Sequence, residues 1–182
     1  MAVLKELLAK IDYECIRGTL DRNVTDIIYD SRKVVPNSMF ICIPGAVVDG
    51  HTFACDAASA GAGVLLVEKE VELPEDTDVT VIKVQDTHYA MAFISAAFFE
   101  YPAEEMKIIG ITGTKGKTTT TYLVKSILEH AGRKVGLIGT IEIIIGDTHI
   151  HADHTTPESY IIQNYFRQMV DEGCDTVVIE VS

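Results

Sequence analysis

Short apolar runs alternate with polar and turn-forming residues along the first hundred positions of the chain. Four of these runs have the length and composition of buried strands: residues 27–29, 39–43, 63–67 and 79–84. Between them, two alanine-rich stretches, 53–60 and 88–99, repeat their apolar residues at helical spacing. Strands interleaved with helices in this way predict a small α/β domain.

The segment 101–105, Tyr-Pro-Ala-Glu-Glu, breaks this alternation. Proline disfavours a helical conformation at the residue before it, and the neighbouring carboxylates are best placed in water. We therefore predict a linker here and two domains, which cover residues 1–103 and 104–182.

Strands and helices alternate regularly in the second domain. The predicted elements are a strand at 107–112, a helix from about 117 to 131 closed by Gly132, a strand at 134–139, a hairpin at 141–150, a helix capped by Thr156 and a strand at 176–180. This order predicts a doubly wound, mostly parallel sheet, which binds ligands at the carboxyl ends of its strands. Because the chain stops soon after the last predicted strand, we expect it to be truncated within that domain.

Composition and charge narrow the class of partner. The formal net charge of −12 argues against a nucleic-acid partner, because no basic surface would neutralise the phosphates. The four cysteines have no C-x-x-C spacing, which favours a reducing, cytoplasmic location over a disulfide framework or a zinc site. No apolar run approaches the roughly 20 residues of a membrane helix, so we expect no membrane partner.

A glycine-rich turn follows the first strand of the second domain and reads Ile-Thr-Gly-Thr-Lys-Gly-Lys-Thr-Thr over residues 111–119. An anion held there would meet backbone N–H groups, the positive end of a helix dipole and a lysine ammonium. The general phosphate-loop pattern starts with glycine where this chain has Ile111, and the glycines here stand at 110, 113 and 116. We predict bound ATP or GTP, with Lys117 on the β- and γ-phosphates and Thr118 on Mg²⁺.

Other candidate residues lie near the ends of further elements. Glu180 ends a buried strand, which is a common position for a metal-binding acid and also for a surface carboxylate. Lys115 either contacts phosphate or faces water. Thr155 and Thr156 suit a helix cap, and their amides and hydroxyls also suit an anion or a sugar. The nearby histidines, at 149, 151 and 154, have an irregular loop spacing that requires no metal.

Taken together, the motifs of the chain resemble those of the Mur ligase family. The motifs are Thr112–Thr119, Thr155-Thr-Pro-Glu158, Glu180-Val-Ser182, Asp30-Ser-Arg32 and Gly45-x-x-x-Asp49-Gly-His51. The resemblance covers the amino-terminal substrate domain and the first part of the central ATPase domain, and the carboxyl-terminal domain of the family is absent. It favours the branch that adds the third amino acid to UDP-N-acetylmuramoyl-L-alanyl-D-glutamate, with a MurF-like ligase as the nearest alternative.

The resemblance implies three groups of site residues. The ATP loop would comprise Gly113, Thr114, Lys115, Gly116, Lys117, Thr118 and Thr119, with Lys117 catalytic and with Thr118 and Glu180 as the Mg²⁺ ligands. The uridine nucleotide would contact Tyr29, Ser31, Ala46, Val47 and Val48. The muramoyl-dipeptide would lie near His154, Thr155, Thr156 and Ser182. Because the side chains at 46–48 are small and apolar, we expect contacts there through the backbone.

The resemblance also implies the chemistry. ATP would phosphorylate the D-glutamate carboxylate, and an amino acid, diaminopimelate or lysine, would displace phosphate from the acyl phosphate during peptidoglycan synthesis. Nothing in the chain resembles a serine or cysteine nucleophile. Two other classes stay open, a P-loop kinase or NTPase and a noncatalytic module that binds a nucleotide or UDP-sugar. As a fragment, the chain is expected to be inactive alone.

Overall fold

A computed structural model describes residues 2–45 and 47–182. The chain divides into two compact units, residues 1–98 and 99–182. The division falls at the end of a helix and next to the predicted linker.

The first unit is an α/β sheet structure. Its elements in chain order are β1 Ala2–Val3, α1 Leu4–Leu7, β2 Glu14–Arg17, β3 Asn23–Val24, β4 Ile27–Ile28, β5 Met39–Ile41, α2 Ala54–Ser59, β6 Val64–Val67, β7 Thr80–Lys83 and α3 Thr87–Phe98. Strands β4, β5, β6 and β7 pair in parallel, and β2 joins the edge antiparallel, which gives the order β2-β7-β6-β5-β4. The sequence predicted β4 to β7, and it did not predict the exposed edge strand β2.

Both faces of the central strand β6 are buried, which explains its continuous apolar sequence. All four of its residues, Val64 to Val67, are 0% exposed. A parallel strand covered on both faces reads as an unbroken Val/Ile/Leu run rather than as an alternating one. Burying one such side chain contributes roughly 1.5–3 kcal/mol, so this strand anchors the unit.

The second unit has a mixed sheet. Its elements are β8 Lys107–Ile111, α4 Lys117–His130, β9 Val135–Ile138, β10 Glu142–Ile145, β11 Thr148–His151, α5 Ser159–Asp171 and β12 Thr176–Glu180. The strand order is β11-β10-β9-β12-β8. Strand β12 pairs in parallel with β8 and with β9, whereas β10 and β11 form the predicted antiparallel hairpin. The predicted α/β class and its parallel centre are confirmed.

Helices α4 and α5 pack on opposite faces of this sheet. Val177 and Ile179 of β12 belong to the same hydrophobic cluster as Phe166 and Met169 of α5. Because side chains alternate along a strand, Glu180 points to the other face, where it contacts the start of α4. One strand therefore supplies the core on one side and a polar group on the other.

The start of α5 corrects one sequence-based prediction. The helix begins at Ser159, and its N-cap is Glu158, which makes no side-chain capping bond. The predicted cap, Thr156, instead donates its hydroxyl to the backbone oxygen of Glu180 across 2.9 Å. A tertiary hydrogen bond to β12 therefore takes the place of the local cap.

Among the helices of residues 2–45 and 47–182, none combines the length and the apolar composition that a membrane-spanning segment needs.

Candidate functional site

The glycine-rich turn connects the carboxyl end of β8 to the amino end of α4. Gly113 has φ +145° and Gly116 has φ +77°, a region that favours glycine. A Cβ added at Gly116 would meet no atom within 4 Å, and one at Gly113 would meet only the Lys115 oxygen at 3.8 Å. These glycines are thus required by backbone conformation and not by packing, and the space in front of the turn is open.

The turn ends in a helix start that suits an anion. Lys117 is the first residue of α4, and its N-cap Gly116 offers no side chain to the helix amides. The first amides of such a helix have no partner within it and carry partial positive charge. Thr114, Lys115 and Thr119 are exposed, so the structure places the predicted ATP-binding segment at an accessible surface.

Lys117 folds back over the turn. Its ammonium donates to the backbone oxygen of Gly113 across 2.9 Å, so the charge sits at the mouth of the loop. A single neutral carbonyl is a weaker partner for an ammonium than a phosphate group is. The position of Lys117 therefore suits exchange of that carbonyl for an incoming anion.

Glu180 is a fully buried carboxylate, with 0% of the residue exposed. Its Oε2 accepts hydrogen bonds from the hydroxyls of Thr118 at 3.2 Å and Thr140 at 3.0 Å. Its Oε1 accepts the Thr140 amide at 3.1 Å. These are neutral donors, and within the described part of the chain no Lys, Arg or His pairs with this carboxylate. A buried anion held only by neutral donors favours the arrival of a cation.

Thr140 is a site residue that the sequence did not reveal. It follows β9, the strand beside β12 in the sheet, and its hydroxyl oxygen also lies 3.1 Å from that of Thr155. The signal that could have found it is its position, because ligands gather at the carboxyl ends of parallel strands.

A second group of hydroxyls adjoins Glu180 at the end of β12. Ser182 donates its backbone N–H to the Thr156 hydroxyl oxygen across 3.0 Å, and the two side-chain oxygens also lie 3.0 Å apart. Thr155, Thr156 and Ser182 are thus brought to the Glu180 edge of the sheet. His154 lies on the same loop and is exposed, and the structure gives it no hydrogen bond within this cluster.

A separate polar network links α4 to the β10–β11 hairpin. Glu142 accepts the Tyr122 hydroxyl at 2.7 Å and pairs with His149 at 2.7 Å. Burial, together with the bond to Glu142, raises the pKa of Tyr122 to about 12.

The described residues include no group of three His, Cys, Asp or Glu side chains that could hold a metal ion. A metal at the candidate site would therefore need hydroxyl, phosphate or water ligands besides Glu180.

In the first unit, the two segments predicted to contact the uridine nucleotide follow neighbouring parallel strands. Tyr29 and Ser31 come directly after β4, and Val47 and Val48 come after β5. Val47 is 95% exposed and Val48 is 53% exposed, so this segment is accessible from solvent. Ala46, also predicted here, lies outside the described residues.

The conformation at Ser31 is fixed by its neighbours. Asp30 caps a short 3₁₀ helix by accepting the Arg32 amide at 3.1 Å. Its carboxylate also takes two side-chain hydrogen bonds from Arg32, at 2.9 and 2.8 Å. These bonds lower the pKa of Asp30 to about 2. Hydrogen bonds between Asp30 and Arg32 therefore hold the Asp-Ser-Arg motif, and none of these bonds uses the Ser31 side chain.

Cys42 is the buried cysteine at the end of β5. Burial raises the pKa of its thiol to about 12, so it is protonated near neutral pH and is a poor nucleophile.

Comparisons with known proteins identify both units. The profile described as "Mur ligase family, catalytic domain" matches residues 23–99, and the profile "Mur ligase middle domain" matches residues 111–182. The chain is 48% identical over 99% of its length to a UDP-N-acetylmuramoyl-L-alanyl-D-glutamate--2,6-diaminopimelate ligase of Clostridium perfringens. It is 47% identical over 98% of its length to the Bacillus velezensis protein of the same name. It spans 37% and 36% of those two proteins.

Solved structures show the same fold. One described as a UDP-N-acetylmuramoyl-L-alanyl-D-glutamate--2,6-diaminopimelate ligase superimposes with a TM-score of 0.78 at 22% identity, over 100% of this chain and 36% of that one. The MurF ligase of Thermotoga maritima in complex with ADP superimposes with a TM-score of 0.57 at 20% identity, over 85% of this chain and 31% of that one. With two profiles of one family covering the two units in order, the chain belongs to the Mur ligase family.

Proposed function

We propose that this chain is the substrate-binding and first nucleotide-binding part of an ATP-dependent amide ligase. The ligase adds diaminopimelate to UDP-N-acetylmuramoyl-L-alanyl-D-glutamate. The observation that carries the proposal is the buried Glu180 carboxylate, which neutral donors hold beside the open phosphate loop. The names of the relatives at 48% and 47% identity support the substrates. The chain spans little more than a third of those relatives. The whole reaction is therefore proposed for a protein of the relatives' full length.

The nucleotide would bind with its phosphates in the loop from Gly113 to Thr119. The open space in front of Gly116 admits a phosphate, and the α4 amides would donate to its oxygens. Lys117 would exchange the Gly113 carbonyl, 2.9 Å away, for phosphate oxygens. During transfer of the γ-phosphoryl group its charge would stabilise the negative charge that develops.

The residues around Glu180 fit Mg²⁺. This ion takes oxygen ligands and is commonly held by one or two carboxylates together with phosphate oxygens and water. Glu180 supplies the carboxylate, and Thr118, whose hydroxyl lies 3.2 Å from it, supplies a second oxygen. Bound there, Mg²⁺ would neutralise phosphate charge and polarise the phosphoryl group.

The muramoyl substrate would present its D-glutamate carboxylate at the same edge. Thr155, Thr156 and Ser182 adjoin Glu180, and His154 lies on their loop, so these four residues would contact the muramoyl-dipeptide. The uridine nucleotide would lie on the first unit at Tyr29, Ser31, Val47 and Val48, with Ala46 in the same segment. Phosphorylation makes the carboxylate a good acyl donor, and the amine of diaminopimelate, or of lysine as the alternative, then displaces phosphate.

A P-loop kinase or NTPase is less well supported. That class needs neither the first unit nor its Asp30-Ser-Arg32 and Gly45–His51 motifs, and both family profiles belong to ligases. A MurF ligase has the same fold as this chain, so the fold alone is compatible with a MurF-like activity. The sequence relatives at more than 40% identity favour the third-residue ligase. The proposal places the reaction in the cytoplasm, where ATP is available.

Calorimetry with two ligands tests the proposal. We expect Mg·ATP and UDP-N-acetylmuramoyl-L-alanyl-D-glutamate each to bind the chain. Lys117→Ala should abolish binding of Mg·ATP and leave binding of the muramoyl ligand intact. Lys107→Ala, at the opposite end of β8, is the matched control and should change neither. Equal ATP affinity in the wild type and Lys117→Ala would contradict the proposed nucleotide site.

A further inference from the structure

A polar network in the first unit is not used by the chemistry proposed above. It centres on His51, whose side chain is only 4% exposed. His51 follows directly on the segment that carries Val47 and Val48. Its two ring nitrogens contact two different parts of the unit.

The hydrogen bonds fix which nitrogen of His51 carries the proton. The backbone N–H of Glu68, just beyond β6, donates to His51 Nε2 across 2.9 Å. Nε2 must therefore present its lone pair. The proton then lies on Nδ1, which is 2.6 Å from Asp49 Oδ1 and donates to it. Both nitrogens are satisfied in this single neutral tautomer.

Asp49 connects His51 to the loop at positions 44–50, which carries Val47 and Val48. Its Oδ1 also accepts the His51 amide at 3.0 Å, and its Oδ2 pairs with Lys69 at 2.6 Å. Lys69 first, and then His51, hold the pKa of Asp49 well below its ordinary value. The carboxylate is therefore an anion with fixed partners on both oxygens.

The two ends of the loop are held together by its backbone. Pro44 and Asp49 form an isolated antiparallel bridge. The Gly50 amide donates to Ile43 at 2.8 Å, and the Gly45 amide donates to Val48 at 3.2 Å. A Cβ on Gly50 would come within 2.7 Å of Ile43 backbone atoms, so this close approach requires glycine. Val47 and Val48 are exposed and lie between backbone positions that are held close together.

Glu68 extends the network to the next helix. Its Oε1 accepts both the amide and the hydroxyl of Thr87, each at 2.7 Å, and Thr87 begins α3. His51 thus links Asp49 to a backbone position, that of Glu68, which lies just beyond β6 and is held to the start of α3.

We infer that His51 is a positioning residue for this loop, whose residues Val47 and Val48 are proposed to contact the uridine nucleotide. In its Nδ1-protonated form it ties Asp49 to the Glu68 backbone and so holds residues 47 and 48 where their backbone groups can meet a ligand. The identity of the ligand rests on the proposed function, whereas the tie itself does not.

Two substitutions separate the two bonds. The amide nitrogen of Asn can replace Nδ1, so His51→Asn keeps the donor to Asp49 and loses the acceptor for Glu68. The amide oxygen of Gln can replace Nε2, so His51→Gln keeps that acceptor. We expect His51→Asn to weaken binding of uridine diphosphate by about tenfold, the effect of one lost buried hydrogen bond. His51→Gln should recover most of the affinity, because it keeps the acceptor for Glu68 while Asp49 still has the residue-51 backbone N–H and Lys69 as partners. His88→Gln, at an exposed histidine of α3, should change nothing.

Nuclear magnetic resonance of ¹⁵N-histidine-labelled protein gives a readout that needs no ligand. At neutral pH the wild type should show His51 with a protonated Nδ1 and an unprotonated Nε2. The amide resonances of residues 47–51 should shift in His51→Asn more than those of α3.

A proton on Nε2 in the wild type, or unchanged loop resonances in His51→Asn, would overturn the inference whatever the ligand does. Equal uridine diphosphate affinity in the wild type and His51→Asn would also overturn it. Failure of the wild type to bind uridine diphosphate would instead contradict the proposed function, and the ligand-free spectra would still decide the role of His51.

Discussion

The Thr118 hydroxyl donates a hydrogen bond of 3.2 Å to Glu180 Oε2. This contact joins the first turn of α4, which follows the phosphate loop, to the carboxyl end of β12. A group that suits phosphate and a group that suits a cation are thereby held side by side before any ligand arrives. Such preorganisation is what electrostatic catalysis of phosphoryl transfer requires.

Replacing Glu180 with Gln should remove the dependence of ATP binding on Mg²⁺. Gln has nearly the same shape, but it lacks the charge that attracts the ion. We expect the affinity for Mg·ATP to fall roughly tenfold or more, while binding of ATP without Mg²⁺ changes little. Calorimetry with and without Mg²⁺ measures both. Glu172→Gln, at an exposed carboxylate, is the control, and a Mg²⁺ effect that survives in Glu180→Gln would rule out this ligand.

Replacing Thr140 with Val tests the residue that the sequence did not reveal. The change keeps the volume and removes the hydroxyl that lies 3.0 Å from Glu180 Oε2. The free energy of unfolding should fall by about 1–2 kcal/mol, because a buried carboxylate loses a donor. Denaturant titration compares this variant with Thr148→Val, which lies on the exposed hairpin strand and should be nearly neutral. Equal stabilities of the two variants would show that the Thr140 hydroxyl contributes nothing to holding Glu180.

The contrast between Gly116 and Thr140 shows what can be predicted from this sequence. The glycine-rich turn between a strand and a helix can be predicted because the glycine spacing, the preceding apolar strand and the following helix are all local signals. Thr140 was not visible, because its role depends on β9 lying beside β12, which is a tertiary pairing. Thr156 shows the same limit, since its hydroxyl bonds to Glu180 instead of capping the next helix.

Gly116 and Gly132 have similar backbone conformations, so replacing each of them distinguishes the cost of backbone strain from a role in ATP binding. Gly116 and Gly132 have φ +77° and +83°, and a Cβ on either would meet no atom within 4 Å. Alanine at either position should lower the free energy of unfolding by about 1–2 kcal/mol, through the left-handed backbone alone. Only Gly116→Ala should also weaken binding of Mg·ATP, because only that glycine shapes the loop. Thermal unfolding and calorimetry measure the two effects, and equal loss of ATP affinity in both variants would contradict the loop assignment.

Asp49 should stabilise the first unit in a pH-dependent manner. Lys69 and His51 hold its folded-state pKa below the ordinary value of 3.8. The stabilisation is therefore fully present above about pH 4, the unfolded-state value, and is lost as the pH falls toward the lower folded-state value. We expect Asp49→Asn to lower the free energy of unfolding at pH 7 by about 1–2 kcal/mol.

The difference between Asp49→Asn and the wild type should shrink as the pH falls below about 4. Denaturant titrations at several pH values measure it, with Asp76→Asn, at an exposed loop carboxylate, as the control. A difference that stays constant from pH 7 to pH 3 would show that the charge of Asp49 is not what stabilises the loop.

The most direct test of the ligase assignment is a chimera in which residues 1–182 replace the matching segment of the Clostridium perfringens relative. The protein would be incubated with ATP, Mg²⁺, UDP-N-acetylmuramoyl-L-alanyl-D-glutamate and diaminopimelate, and the products analysed by mass spectrometry. We expect UDP-N-acetylmuramoyl-tripeptide from the chimera and from its Lys107→Ala form, and a loss of roughly 100-fold or more in its Lys117→Ala form. A folded chimera that binds both substrates and forms no tripeptide, or one that is equally active with Lys117→Ala, would contradict the account.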